Sequence, residues 1–239
     1  MIELVHVTKR FGDFLAVENL SLAIPQGEFF GFLGPNGAGK TTTIKMMVGL
    51  FAPTTGTIMI NGHDTVREPM DAKKSLSYVP DQPFLYDKLT GREFLYFVAG
   101  LFRLDKRLAH RKIAELIEKF EIGEWIDKRT EEYSQGMRQR VTIGAAVLHD
   151  PRTIIIDEPM IGLDPRSARI VKDALKARSR EGTTIFMSTH SLEIVEELCD
   201  RVGIVKDGRL IFADTLDRLQ QYKSKYDGNI ESVFIELTK

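Results

Sequence analysis

The run Gly34, Pro35, Asn36, Gly37, Ala38, Gly39, Lys40, Thr41 and Thr42 contains the spacing G-x-x-x-x-G-K-[ST] of a phosphate-binding loop. Glycine at 34, 37 and 39 lets the backbone curl and come close to an anion, so that successive N–H groups and the start of a following helix point at it. Lys40 then supplies a mobile positive charge for the β- and γ-phosphates of a nucleoside triphosphate, and the Thr41 hydroxyl is placed to ligate a bridging Mg²⁺. A second stretch, Ile154-Ile155-Ile156-Asp157-Glu158-Pro159, is a β-branched run ending in two acids. Neighbouring strand residues point to opposite faces. Asp157 is therefore expected to hold metal, while Glu158 positions or deprotonates the water that attacks the γ-phosphate. His190 follows the strand-like run Thr184–Thr189 and is expected to meet the γ-phosphate as a donor. Lys40, Glu158 and His190 are thus the catalytic candidates for hydrolysis of a Mg-nucleotide.

These groups need a scaffold. The apolar run Phe29–Leu33 predicts a buried strand leading into the loop, and Ile44, Met47 and Val48 have helical spacing after Lys40. Ile2–Val7 and Leu20–Ile24 alternate as strands do, and Thr57–Ile60 is a short strand closed by Asn61-Gly62. From about Gln82 to Asp150 the sequence turns helical, with Ile113, Leu116, Ile117 and Phe120 at the spacing of one helix face. Strand sequence returns at Thr153–Asp157 and Thr184–Ser188, separated by a helix-like stretch Pro165–Arg180, the alternation of a parallel α/β sheet. Val202–Val205 and Arg209–Phe212 flank Asp207-Gly208 and predict a hairpin. The final stretch, Asp214–Lys239, is polar at first and then alternates at Val233, Ile235 and Leu237, as a short appended element would.

At 239 residues, 43% hydrophobic and 28% charged, the chain is one large globular domain or a domain carrying an insertion. Lys and Arg total 33 against 34 Asp and Glu, which argues against gripping nucleic acid by bulk charge. Cys199 is the one cysteine, so an internal disulfide and a Cys-rich metal site are excluded, and a partly buried thiol in a reducing compartment is expected. No apolar run approaches the ~18–20 residues of a spanning helix, so a membrane role is expected to be peripheral. Glu3, with basic residues only after the apolar stretch, reverses the order of a secretory signal, and the expected location is cytoplasmic.

The order of motifs resembles the ATP-binding subunits of ABC transporters over residues 1–213. Tyr133-Ser134-Gln135-Gly136-Met137, before Arg138-Gln139-Arg140, is similar to that family's signature, Gly162-Leu163-Asp164 to its D-loop, and His190 to its switch histidine. The resemblance implies an α/β fold of the P-loop NTPase type, with a mixed N-terminal sheet, a parallel core sheet and an inserted α-helical subdomain. It divides the chain into a core (1–81 and 151–213), a helical subdomain (82–150) and an extension (214–239). It implies ATP and Mg²⁺, and a second ATP-binding subunit, identical or homologous, paired head to tail. Ser134, Gln135 and Gly136 of one chain would then close over the ATP of the other, with a hydroxyl, a close backbone approach and a helix N-terminus. It also implies an integral membrane transporter subunit, no nucleic acid, and a place on the inner face of the cell membrane.

Several positions depart from the family pattern. Gln135 replaces a glycine and Tyr133 a leucine, while Phe11 stands for the aromatic, commonly tyrosine, that stacks on adenine, a contact worth roughly 1–3 kcal/mol. In Tyr78-Val79-Pro80-Asp81-Gln82, alignment through the proline puts Asp81 where the family has the glutamine that contacts metal and attacking water, with Gln82 one residue on; both are metal-site candidates. The acidic replacement and the ending Ser232–Thr238 resemble the branch that exports drugs, polysaccharides and peptides. The aromatic stretch Phe84, Leu85, Tyr86, Phe94, Tyr96, Phe97 and Phe102 falls where the family receives helices from its membrane subunits, although most of these rings are expected in the core. An importer ATPase and a soluble ATP-switched binding module are the alternative readings.

Overall fold

The computed structural model describes residues 1–223. The alternating run at Val233, Ile235 and Leu237, and the ending Ser232–Thr238, lie outside the described residues. In chain order the first elements are β1 (Ile2–Phe11), β2 (Phe14–Ile24), β3 (Phe29–Leu33), α1 (Lys40–Met47), β4 (Thr55–Ile60), β5 (His63–Asp64), α2 (Pro69–Lys74) and β6 (Leu76–Val79). Helices α3 (Gly91–Leu101), α4 (Lys106–Lys119) and α5 (Gln135–Val147) follow, and then β7 (Thr153–Asp157), α6 (Pro165–Arg180), β8 (Thr184–Thr189), α7 (Leu192–Leu198), β9 (Arg201–Lys206), β10 (Arg209–Thr215) and α8 (Leu216–Lys223).

Two sheets result, ordered β2-β1-β4-β5 and β10-β9-β3-β8-β7-β6. The N-terminal sheet is antiparallel in every pairing, which corrects the expected mixture. Gly12-Asp13 and Asn61-Gly62 join adjacent strands with no room for the crossover a parallel pair requires. The six-stranded sheet is parallel except for the β9–β10 hairpin at its edge.

Strands β3, β7 and β8 are buried along their whole length, as parallel strands covered on both faces must be. Alternation sorts their side chains into two cores. Phe29, Leu33, Ile154, Ile156, Ile185 and Met187 join the helices α3 to α6, whereas Phe30, Phe32, Ile155 and Phe186 join the N-terminal sheet and α1. Phe186 packs against Phe30 and Phe32 with ring centres 5.9 and 5.1 Å apart. Cys199 is buried beside β3, where burial pushes its thiol pKa far up.

The Asp207-Gly208 turn has φ of 48° and 78°, the doubly left-handed geometry that suits a two-residue hairpin. Gly208 reaches further than its own hairpin. Its N–H donates to Ala38 O at 3.1 Å and its carbonyl accepts from Glu18 N at 2.8 Å, so the turn backs directly onto the phosphate loop. A Cβ on Gly208 would come within 2.8 Å of Ala16 O.

Candidate functional site

Strand β3 ends at Leu33 and α1 begins at Lys40, so the loop between them is pinned at both ends. Gly37 and Gly39 take φ of 82° and 99°, and a Cβ on Gly39 would stand 2.6 Å from Ala16 O. Lys40 is 6% exposed and folds back over the loop, donating from Nζ to Gly34 O at 2.7 Å and Pro35 O at 3.2 Å. The same Nζ lies 3.6 Å from Glu158 Oε1.

Asp157, 1% exposed at the end of β7, accepts from Thr41 Oγ1 at 2.9 Å and from Ser188 Oγ. Burial pushes its pKa up from the usual carboxylate value, partly countered by those two hydroxyls. Glu158 follows with φ of 48°, its N–H donating to Ser188 O at 3.1 Å and Ser188 Oγ at 3.3 Å. That backbone turn aims its carboxylate at both Lys40 and His190, whose Nδ1 is 3.0 Å from Oε2. Since an ionised carboxylate only accepts, His190 donates from Nδ1.

These groups surround a cavity of about 400 Å³. Pro35, Asn36, Gly37, Gly39, Lys40, Thr41 and Thr42 line it together with Asp81, Asp157, Glu158 and His190. Gly34 and Ala38 lie behind the loop; a Cβ on Gly34 would stand 2.5 Å from Val205 O. Asp81 therefore reaches the cavity and Gln82 does not line it. Phe11 does not line it either: its half-exposed ring meets Phe51 edge-on at 5.5 Å, with Lys9 Nζ 5.0 Å from its centre. Phe14, 66% exposed, lines the wall instead. Ser188 and Phe14 were not singled out from the sequence. A serine inside the otherwise apolar run Thr184-Ile-Phe-Met-Ser188 was the available signal for the first.

Ser134, Gln135 and Gly136 sit apart from this cavity, at the start of α5. Ser134 Oγ caps the helix by accepting from Met137 N at 3.3 Å, and Gly136 is buried against the loop before α6. The Gln135 side chain turns to its own chain, donating to Ile161 O at 3.3 Å.

A family profile described as ABC transporter matches residues 17–161. The chain is 37% identical over 215 residues to the Linearmycin resistance ATP-binding protein LnrL of Bacillus subtilis, covering 90% of this chain and 69% of that one. A solved ATP-binding subunit of an ABC transporter superposes with a TM-score of 0.93 at 31% identity, covering 100% of both chains. A dimeric ATP-binding cassette in a post-hydrolysis state, bound to ADP and Pi, superposes with a TM-score of 0.81 at 26% identity, covering 90% of this chain and 99% of that one. The chain belongs to the ABC transporter family.

As an ABC transporter subunit it is an ATP-binding and ATP-hydrolysing protein that serves transport, in a family whose ATP-binding subunits dimerise and work with membrane subunits. Among the described residues no helix is long and apolar enough to cross a membrane. One departure from the ABC pattern has a structural reason. The Tyr133 hydroxyl is buried, accepting from Gly91 N at 3.1 Å and donating to Ile126 O at 3.1 Å, which ties the start of α3 to the signature segment. Leucine offers no such bond. The aromatic stretch is also more exposed than expected: Phe84 is 71%, Tyr86 47%, Phe97 40% and Phe102 37% exposed, while Leu85 and Phe94 are buried. Helix α3 spends its inward face on Phe94, Leu95 and Ala99, so the remaining rings stay outside. Phe84 and Phe102 line a groove of about 410 Å³ together with Leu50, Tyr78, Val98 and His149.

Proposed function

We propose that this chain binds Mg-ATP between its own phosphate loop and the signature segment of a second ATP-binding subunit, and that closure of that dimer drives export through a separate membrane subunit. The reading rests on one arrangement: Lys40, Thr41, Asp157, Glu158 and His190 converge on a single cavity at the end of β3. The triphosphate displaces the contacts Lys40 makes with Gly34 O and Pro35 O, and Phe11, half-exposed at the end of β1, offers a ring face to adenine beyond the phosphate cavity. Glu158 acts as base toward the attacking water, and His190, which donates to that carboxylate in this structure, turns its donor to the γ-phosphate when nucleotide is bound. Ser134 and Gly136 meet the nucleotide of the partner subunit.

Mg²⁺ suits the oxygen donors here. Thr41 Oγ1 and Asp157 Oδ2 stand 2.9 Å apart beside the phosphate loop, with Asp81 on the same cavity wall. The described residues contain no cluster of acids and histidines able to cage a metal, which fits an ion held by few protein ligands, phosphate and water. When bound, the ion neutralises charge that develops on the phosphate oxygens.

Export is favoured over import by Asp81 in place of glutamine on the cavity wall and by the resistance protein among the relatives. The exposed rings Phe84 and Phe102 form the face on which helices of the membrane subunit dock, holding this chain to the inner surface of the cell membrane. Glu158→Gln tests the core of the reading. The variant is expected to bind ATP, to accumulate as an ATP-dependent dimer, and to hydrolyse about 10²–10⁴-fold more slowly. Hydrolysis at the wild-type rate removes Glu158 from the role of base.

A further inference from the structure

Two side-chain amides stitch the signature helix to the loop that leaves Glu158. Gln135 and Gln139 lie four residues apart on α5 and so share a face. Gln135 Nε2 donates to Ile161 O at 3.3 Å, and Gln139 Nε2 donates to Pro159 O at 3.2 Å. The two acceptors alternate along one short loop whose ends are fixed by other means. At one end Glu158 N–H is held by Ser188; at the other Asp164 caps α6, accepting from Arg166 N and Ser167 N at 3.0 Å each. Between these ends the loop is fastened to α5. Gly162, with φ of 74°, leaves the space that Gln135 fills, since a Cβ there would come within 2.5 Å of the Gln135 amide. Glu158 itself holds φ of 48°, a conformation that a side-chain-bearing residue keeps only when its surroundings enforce it.

We propose that Gln135 is a positioning residue for hydrolysis in its own chain: its amide steadies residues 159–163 so that Glu158 is presented to the cavity. This replaces the contact with the partner's nucleotide that the resemblance implies for this position. Because α5 starts at the segment that meets the partner's ATP, the same amide links engagement of one nucleotide to the set of Glu158 at the other. The inference rests on Glu158 being the base.

The test compares Gln135→Met, which keeps length and removes the donor, with Gln135→Lys, whose ammonium can still donate to the Ile161 carbonyl. Steady-state ATP hydrolysis is measured on the full chain, and ATP-dependent dimerisation on the same substitutions in a Glu158→Gln background. Gln135→Met is expected to lower kcat about two- to tenfold, the range of one neutral hydrogen bond, with KM and dimerisation within about twofold of the parent. Gln135→Lys is expected to restore most of kcat. An unchanged kcat in Gln135→Met, or a loss of dimerisation equal to the loss of rate, overturns the proposal; the second outcome assigns Gln135 to the partner's nucleotide. Glu158→Gln alone reports on the base, so failure of that reading is seen separately.

Discussion

Two cavities of nearly equal volume, about 400 and about 410 Å³, mark this chain, and their walls are opposite in character. In the phosphate cavity the charged groups other than Asp81 are already engaged: Lys40 with two carbonyls and Glu158, His190 with Glu158, Asp157 with two hydroxyls. In the groove the wall is aromatic and aliphatic, Phe84 stands 71% exposed, and the one buried side-chain atom lacking a hydrogen bond is His149 Nδ1. Binding in the first must exchange existing contacts for better ones, so it is selective and can change the positions of the groups it releases. Binding in the second needs only to cover apolar area, so it anchors without rearranging charge. The two cavities should therefore separate under mutation.

Lys40→Ala should produce the largest effect, because it removes a charged donor to phosphate and leaves the partly buried Glu158 short of a partner. ATP affinity is expected to fall about 10–100-fold by equilibrium titration; unchanged affinity would remove Lys40 from the site. Tyr133→Phe belongs to neither cavity and calibrates the scaffold between them. Leaving Gly91 N–H and Ile126 O without the hydroxyl should cost about 1–3 kcal/mol in denaturant unfolding, with ATP affinity retained.

Phe84→Ser should do the reverse of Lys40→Ala. Its ring is mostly solvated, so isolated ATPase rate and stability are expected to stay within about 0.5 kcal/mol of the parent. Recovery of a membrane subunit from gently solubilised membranes should drop by about 1 kcal/mol or more in affinity. Equal loss of ATPase activity in the isolated chain would show that the cavities are not separable.

A further effect concerns pH. His149 stacks on Phe102 at 3.4 Å, and burial lowers its pKa to about 4. Its folded value lies below the unfolded value of 6.5, so the neutral ring contributes stability that is present above pH 6.5 and is lost as pH falls toward 4. Melting temperatures measured from pH 7 down to 4 should fall less steeply in His149→Gln than in the parent.

The periodic parts of the chain were readable in advance, down to the bounds of α6 at Pro165–Arg180 and the turn at Asp207-Gly208. A helix with a proline at its first turn and a hairpin with a left-handed pair carry their reasons locally. Strand β6 did not announce itself, because Leu76-Ser77-Tyr78-Val79 is short and interrupted by polar atoms; its pairing with β7 supplies what its composition lacks. The chemistry of Lys40, Thr41, Asp157, Glu158 and His190 follows from residue type and spacing, whereas Ser188 shows in the sequence only as a polar residue in an apolar run, because its partner Asp157 lies on a neighbouring strand. Tyr133 stands out in the sequence as a departure, but its bond does not, since the hydroxyl finds Gly91 across a long stretch of intervening chain. Gln135 was visible as a departure but not as a bond, since its acceptor is a backbone carbonyl.

The placement of β3 has a consequence for how the protein is made. Its partners on both sides, β8 and β9, are encoded in the C-terminal half of the chain, with Phe29 opposite Ile185 and Phe30 opposite Arg201. The turn that backs the phosphate loop comes later still, at Gly208. During translation at about 5–20 residues per second, β3 waits on the order of ten seconds with both edges bare. An ATP pocket therefore cannot form on the ribosome until almost all of the cassette has emerged, and until then the Phe29–Leu33 segment is the natural client of a chaperone.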